Sequence, residues 1–248
     1  MDLGLRDNVC VVTGSTAGIG LAVARQLRAE GALVVTSGRS GAGIGDLHVR
    51  ADLSRPGEPE RLVAAAEERF GRVDCLVNNV GWAEIHRFDE LTEEIWERSW
   101  QLNVMSAVRA TQAALTGMRE RGRGVIVNVS STAAKRPSTG MPDYSVTKAA
   151  VLSLSRLVAD LYARDGIRCN AVTPGPTATD AWLEAGGLAD QQGERDEVFA
   201  RVAAARPLGR YAEPDEIAAV IVFLCSERSS YVTGAAWSAD GGTVPIIV

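Results

Sequence analysis

Asn8-Val9-Cys10-Val11-Val12-Thr13-Gly14-Ser15-Thr16-Ala17-Gly18-Ile19-Gly20 is the stretch whose reading decides the fold. Residues 8–13 form a short, continuously apolar strand, the type covered on both faces in a parallel sheet. The chain then turns through glycines into a helical pattern over residues 21–30. A strand, a glycine turn and a helix N-terminus together make an anion cradle. Glycine lets the backbone approach closely, while free N–H groups and the helix dipole face negative charge. The spacing is G-x-x-x-G-x-G, which differs from the G-x-G-x-x-G dinucleotide fingerprint. Between strand and helix, this loop favours a nucleotide phosphate.

Downstream, strand and helix patterns alternate. Strands are expected at residues 33–37, 47–51, 73–77, 125–129, 168–172 and 235–238. Helices are expected at 61–70, across 93–121 with Asn103 near the middle, from Pro142 to Asp165, and from Pro214 to Cys225. Residues 41–46 are too few for a crossover helix, so that connection should be an abbreviated loop. Residues 180–205 are rich in Ala, Gly, Gln and Glu with weak periodicity, and read as a partly helical flap. With no internal repeat and no linker, the 248 residues read as one α/β domain, a doubly wound parallel sheet.

Composition excludes several classes. The formal charge of −5 gives no basic field for nucleic acid or an anionic membrane. No apolar run has the length of a membrane span, and Asp2 and Asp7 around Arg6 argue against a signal peptide. Cys10, Cys75, Cys169 and Cys225 sit singly in apolar runs, which reads as buried reduced thiols in a cytoplasmic protein. With only His48 and His86, no His-based metal centre is expected.

A second chemical signal lies at Tyr144-Ser145-Val146-Thr147-Lys148, early in the Pro142–Asp165 pattern. Tyr144 and Lys148 are four residues apart, so a helix stacks them on one face. An ammonium beside a phenol favours the phenolate and prepares Tyr144 for proton transfer. Two such residues can equally just solvate an exposed face. The chain carries 24 Arg and 2 Lys, and one of those lysines is Lys148. Six strand ends carry polar or glycine clusters: residues 14–20, Gly38-Arg39, Asp52, residues 78–81, Ser130-Ser131 and residues 174–179. Ligands bind at the carboxyl ends of strands in open parallel sheets, so all six should converge on one crevice.

Taken together, Thr13-Gly14-x-x-x-Gly18-Ile19-Gly20, Asp52-Leu53, Asn78-Asn79-Val80-Gly81, Asn103, Ser131, Tyr144-x-x-x-Lys148 and Pro174-Gly175 resemble the short-chain dehydrogenase/reductase family. They occur in the family's order and span essentially the whole chain. The resemblance implies a seven-stranded Rossmann sheet and an NAD(P)-dependent oxidoreductase interconverting an alcohol and a carbonyl. It implies that Tyr144 exchanges the proton, Lys148 lowers its pKa and holds the cofactor ribose, Ser131 binds the substrate oxygen, and Asn103 holds a relay water. Gly14, Ser15, Thr16, Gly18, Ile19 and Gly20 would line the pyrophosphate and adenosine ribose. Asp52 and Leu53 would border the adenine, Asn79 and Gly81 the ribose, and Pro174, Gly175, Thr177 and Thr179 the nicotinamide.

Val80 replaces the family's usual Ala, a small change in packing. At the end of the second strand Gly38 stands where NAD enzymes carry a carboxylate, and Arg39 follows it. That favours NADP(H), with NAD(H) still usable, aided by hydroxyls of Ser15, Thr16 and Ser40. Trp82, Ala133, Lys135, Met141, Trp182 and the flap are placed to line a substrate pocket, where Lys135 and Arg136 would either greet an acidic or acyl-carrier substrate or simply be solvated. The substrate is expected to be a ketone, quinone or 3-oxoacyl compound. Two long apolar helices imply a homo-oligomer, expected to be a tetramer. Other readings are a non-catalytic NADP-binding redox sensor and a sugar-nucleotide epimerase. The glycine spacing and the lack of a larger C-terminal region disfavour the epimerase.

Overall fold

The computed structural model describes residues 2–39, 41 and 43–245. Seven parallel strands form one sheet: β1 (Val9–Val12), β2 (Leu33–Gly38), β3 (Leu47–Arg50), β4 (Cys75–Asn78), β5 (Gly124–Val129), β6 (Ile167–Pro174) and β7 (Ala236–Ala239). Their order is β3-β2-β1-β4-β5-β6-β7. The order reverses between β1 and β4, which creates the crevice where open α/β sheets bind ligands. Every residue of β1, β4 and β5 is buried, which explains why these strands read as mostly apolar runs rather than alternating ones, with Asn78 and Asn128 as buried polar exceptions.

Helices cover both faces. Strand alternation sends Cys10, Val12, Val34, Val77, Val127 and Val172 towards α1 (Gly18–Ala29) and α9 (Pro214–Cys225). The intervening Val9, Val11, Val35, Leu76, Ile126 and Cys169 face α2 (Glu58–Phe70), α4 (Ser106–Glu120) and α6 (Pro142–Tyr162). Register brings Cys10 and Cys75 side by side, and the Cys75 thiol donates to the Cys225 carbonyl. The sequence had shown these cysteines only as isolated residues. All four are free thiols.

No helix joins β2 and β3 among the described residues. The loop instead packs Gly43 onto the Thr36 hydroxyl and His48 ring, where any side chain would overlap both. The expected helix over 93–121 is broken in its middle: α3 (Glu93–Trp100) passes through a single π turn, Gln101–Met105, into α4. The flap contains α7 (Asp180–Leu183), a 3₁₀ turn (Asp190–Gln192) and α8 (Arg195–Ala204). One further short helix, α5 (Thr132–Lys135), follows β5 and carried no periodic signal.

Candidate active site

The glycine loop is a built cradle. Gly14 and Gly18 have φ of +61° and +53°, a region that costs any other residue energy. A side chain at Gly20 would overlap the Gly14 carbonyl and the Asn79 amide. No side chain caps the N-terminus of α1 and no acid lies in its first turn, so its free N–H groups remain available to an anion. Thr179 closes the other side: a Cβ on Gly18 would sit 3.2 Å from its Cγ2.

Thr13, absent from the expected site, braces this cradle. Its hydroxyl accepts from the backbone N–H groups of Asn79 (2.9 Å) and Val80 (3.0 Å), locking the end of β4 to the end of β1. The Asn79 amide donates to the carbonyls of Thr13 (3.0 Å) and Gly14 (2.9 Å). Asn79 therefore spends its donor on shaping the loop. Its position beside the glycines in the motif was the available signal; Thr13 preceded the first glycine in plain view. Ser15 is a correction. It is fully buried, its hydroxyl donating to the Val12 carbonyl (2.7 Å) and accepting from the Ser37 N–H (2.9 Å). It stitches the loop to β2 and offers no hydroxyl to a ligand. The Ser40 hydroxyl lies outside the described residues.

The proposed reacting groups meet beyond the end of β5, Ser131 from the start of α5 and Tyr144 and Lys148 from α6. Ser131 follows β5 and caps α5, its hydroxyl accepting from the Ala133 N–H (3.1 Å), and the same hydroxyl is near enough to Tyr144 to favour the phenolate. Capping and facing the site are thus one geometry. Lys148 is 3% exposed; its ammonium donates to the Val129 carbonyl at 2.9 Å and lies 5.7 Å from the Tyr144 ring centroid. Gly81 makes room for it, since a Cβ there would lie 3.1 Å from Nζ.

The electrostatics differ from the expectation. Burial pushes the Tyr144 phenol up, opposed by the Ser131 hydroxyl, and burial pulls Lys148 down to about 8. The ammonium donates to the Val129 carbonyl, and desolvation is the leading influence on both groups in this arrangement. Asn103 sits on the π turn and is buried. Its Oδ1 accepts from the Trp82 N–H (2.7 Å), and its amide donates to the Trp82 carbonyl (3.0 Å) and Thr147 hydroxyl (3.1 Å).

One cavity of about 920 Å³ gathers Gly14, Gly18, Ile19, Asn79, Gly81, Ser131, Tyr144, Lys148, Pro174, Gly175, Thr177 and Thr179. Thr16, Gly20, Arg39, Asp52, Leu53 and Asn103 lie outside its lining. Gly20 and Asn103 support it from behind. Arg39 is exposed at the end of β2, near enough to Asp52 to help hold that carboxyl below its usual range, although hydrogen bonding from Ser54 is the main cause. Leu53 is buried in the core under α2. Trp82, Ala133, Met141 and Trp182 line the cavity as expected, joined by Leu188, Gln192 and Arg206 from the flap side. Lys135 is the second correction: its ammonium donates to the Ala236 carbonyl (2.9 Å) and Ser238 hydroxyl (3.0 Å), tying α5 to β7. Arg136 does line the cavity.

Among the described residues, no group of three His, Cys, Asp or Glu is placed to hold a metal ion, and no helix is long and apolar enough to cross a membrane. The bare α1 N-terminus, the glycine surface and a cavity running on to Tyr144 and Lys148 fit a dinucleotide.

Comparison with known proteins agrees. A family model described as enoyl-(acyl carrier protein) reductase matches residues 14–244. The L-rhamnose 1-dehydrogenase (NAD(P)(+)) of Azotobacter vinelandii is 41% identical, covering 96% of this chain and 97% of that protein. Human dehydrogenase/reductase SDR family member 4 is 35% identical, over 96% of this chain and 88% of its own length. The crystal structure of L-sorbose reductase from Gluconobacter frateurii, complexed with NADPH and L-sorbose, superposes with a TM-score of 0.92 at 35% identity, covering 100% of each chain. The chain belongs to the short-chain dehydrogenase/reductase family. It is an oxidoreductase of the NAD(P)-dependent alcohol and carbonyl class.

Proposed function

We propose that the enzyme reduces a small ketone, or oxidises the corresponding secondary alcohol, with Tyr144 as general acid or base. The observation that carries this reading is the Ser131–Tyr144–Lys148 group opening into a cavity that continues to the N-terminus of α1. The nicotinamide, when bound, supplies or accepts the hydride. Tyr144 gives its phenolic proton to the carbonyl oxygen during reduction and takes one from the alcohol during oxidation. Ser131 donates to the same oxygen as charge develops there. Lys148, held by the Val129 carbonyl, supplies the positive charge that stabilises phenolate once the proton leaves, and donates to the cofactor ribose. The Asn103 amide fixes Trp82 and the loop after β4, which leaves its side chain a positioning role beside Thr147 on the catalytic helix.

Gly14, Gly18, Ile19 and Thr179 would hold the pyrophosphate, with Gly20 as packing space; Gly81, Pro174, Gly175 and Thr177 would border the ribose and nicotinamide. Thr16, Arg39 and Asp52 would frame the adenosine end, with Leu53 packed in the core behind them. NADP(H) is the preferred cofactor, because no carboxylate stands at Gly38 and Arg39 offers paired donors to a 2′-phosphate. One charge-assisted contact supports a preference of roughly ten- to a hundredfold; equal kcat/KM for NADPH and NADH would overturn it. A homotetramer is proposed from α6, where Val146, Leu157 and Leu161 are 50%, 54% and 59% exposed.

The test is NADPH oxidation against ketones, quinones, 3-oxoacyl thioesters and L-sorbose, with L-rhamnose and NADP in the opposite direction. Tyr144→Phe should lower turnover by ~10²–10⁴ while cofactor binding persists. Retention of more than a tenth of wild-type kcat would refute the assignment.

A further inference from the structure

Asp143 immediately precedes Tyr144, near the N-terminal end of α6, and is fully buried. Neither of its carboxylate oxygens accepts a hydrogen bond from a described residue. An ionised carboxylate without a partner is strongly disfavoured in a protein interior. The basic group facing it is His86: Nδ1 lies 3.8 Å from Asp143 Oδ1 and is itself buried and unpartnered. Two orphaned groups of complementary chemistry thus face each other, under 1 Å beyond ordinary hydrogen-bond length. The other ring nitrogen, Nε2, lies 3.7 Å from Glu84 Oε2 at the surface.

His86 belongs to the loop after β4 that forms one wall of the cavity through Trp82, Ala83 and Ile85. Its backbone N–H donates to the Gly140 carbonyl (2.9 Å), in the loop leading to α6. Its ring tilts against Trp82 at 6.2 Å between centroids. One residue earlier, the Ile85 N–H donates to the Gln191 side chain of the flap (2.9 Å). The loop therefore spans from flap to the segment leading into the catalytic helix, with the His86 ring at its helix end.

We propose that His86 Nδ1–H donates to the Asp143 carboxylate, a buried latch that positions the Trp82–Ile85 wall against the turn carrying Tyr144 and so sets substrate affinity. The proposal rests on the cavity being the carbonyl site; Asp143 and His86 are positioning residues and touch no reacting atom.

The chain has two histidines, so side-chain ¹⁵N spectra resolve His86 against His48 as an internal control. At one pH, Asp143→Leu should move the His86 resonances and leave those of His48 in place. Asp143→Asn, which keeps an acceptor, should move them less. In kinetics, Asp143→Leu and His86→Phe should each raise substrate KM about tenfold, as expected for a lost buried charge-assisted bond. The cofactor KM should stay within about twofold and kcat within about threefold, with Asp143→Asn restoring most of the affinity. The double variant should be no worse than either single one. Unmoved His86 resonances in Asp143→Leu, or KM effects that multiply in the double variant, would overturn the latch. If Asp143→Leu does not fold, Asp143→Asn and His86→Phe carry the same comparison. If no carbonyl is turned over, the activity reading fails, and the spectra still decide whether the pair exists.

Discussion

Replacing Lys148 by Met should destroy turnover and stabilise the cofactor-free protein at neutral pH. The lysine is almost fully buried, has one hydrogen bond, and burial lowers its pKa from 10.5 to about 8. At pH 7 it is still charged, at a cost of about 3 kcal/mol, taking ~1.4 kcal/mol for each tenfold loss of proton affinity. Met has similar bulk and carries no charge, but leaves the Val129 carbonyl without its donor, which costs about 1–2 kcal/mol. The net gain at pH 7 is then about 1–2 kcal/mol, or roughly 3–6 °C in Tm for a chain of this size. The sign follows from linkage. The folded pKa lies below the unfolded one, so the penalty is complete below about pH 8. It fades as pH rises towards ~10.4, where the unfolded lysine also loses its proton. By pH 10 the missing hydrogen bond dominates, and Lys148→Met should be no more stable than wild type. Calorimetry of both proteins at pH 7 and pH 10 provides the measurement, with other titrating groups cancelling in the difference. A variant less stable at pH 7, or a gap independent of pH, would refute the desolvation argument.

Gly81→Ala would place a Cβ 3.1 Å from the Lys148 ammonium and 3.3 Å from Asn103 Oδ1. Displacing that charge by tenths of an ångström should lower kcat about tenfold with cofactor Kd much less affected; a wild-type kcat argues against the packing role. Gly38→Asp alone should fail to switch the enzyme to NADH, because its Cβ would meet Thr16 Cγ2 at 2.5 Å and Oγ1 at 2.9 Å. Combined with Thr16→Gly, it should shift the kcat/KM ratio towards NADH by at least about tenfold, and a full switch by the single variant would show that Thr16 is no constraint. Leu157→Glu with Leu161→Glu should reduce the mass measured by light scattering, since both leucines lie on the exposed face of α6; an unchanged mass removes that face as an interface.

The strand–glycine–helix unit, the alternation that follows it, the short β2–β3 connection and the Tyr144–Lys148 pair were all legible in the chain, because each depends on spacing along a few residues. A four-residue step on a helix fixes which side chains share a face, and an unbroken apolar run marks a strand covered on both sides. What those side chains bond to was settled by tertiary structure. Ser15 and Lys135 look like ligand-facing residues in sequence, yet the first is consumed by β2 and the second by β7. Both partners come from distant strands whose proximity only the sheet order creates. Thr13 became a brace because β4 lies beside β1, and Asn103 lies buried in a π turn that the helical spacing did not show. Cys10 and Cys75 met through strand register, and Cys225 reached them from the end of α9 packed on that face. The proton affinities of Tyr144 and Lys148 belong wholly to this level: sequence supplied the cation and the phenol, while burial, a property of the packed molecule, set the direction in which each shifts.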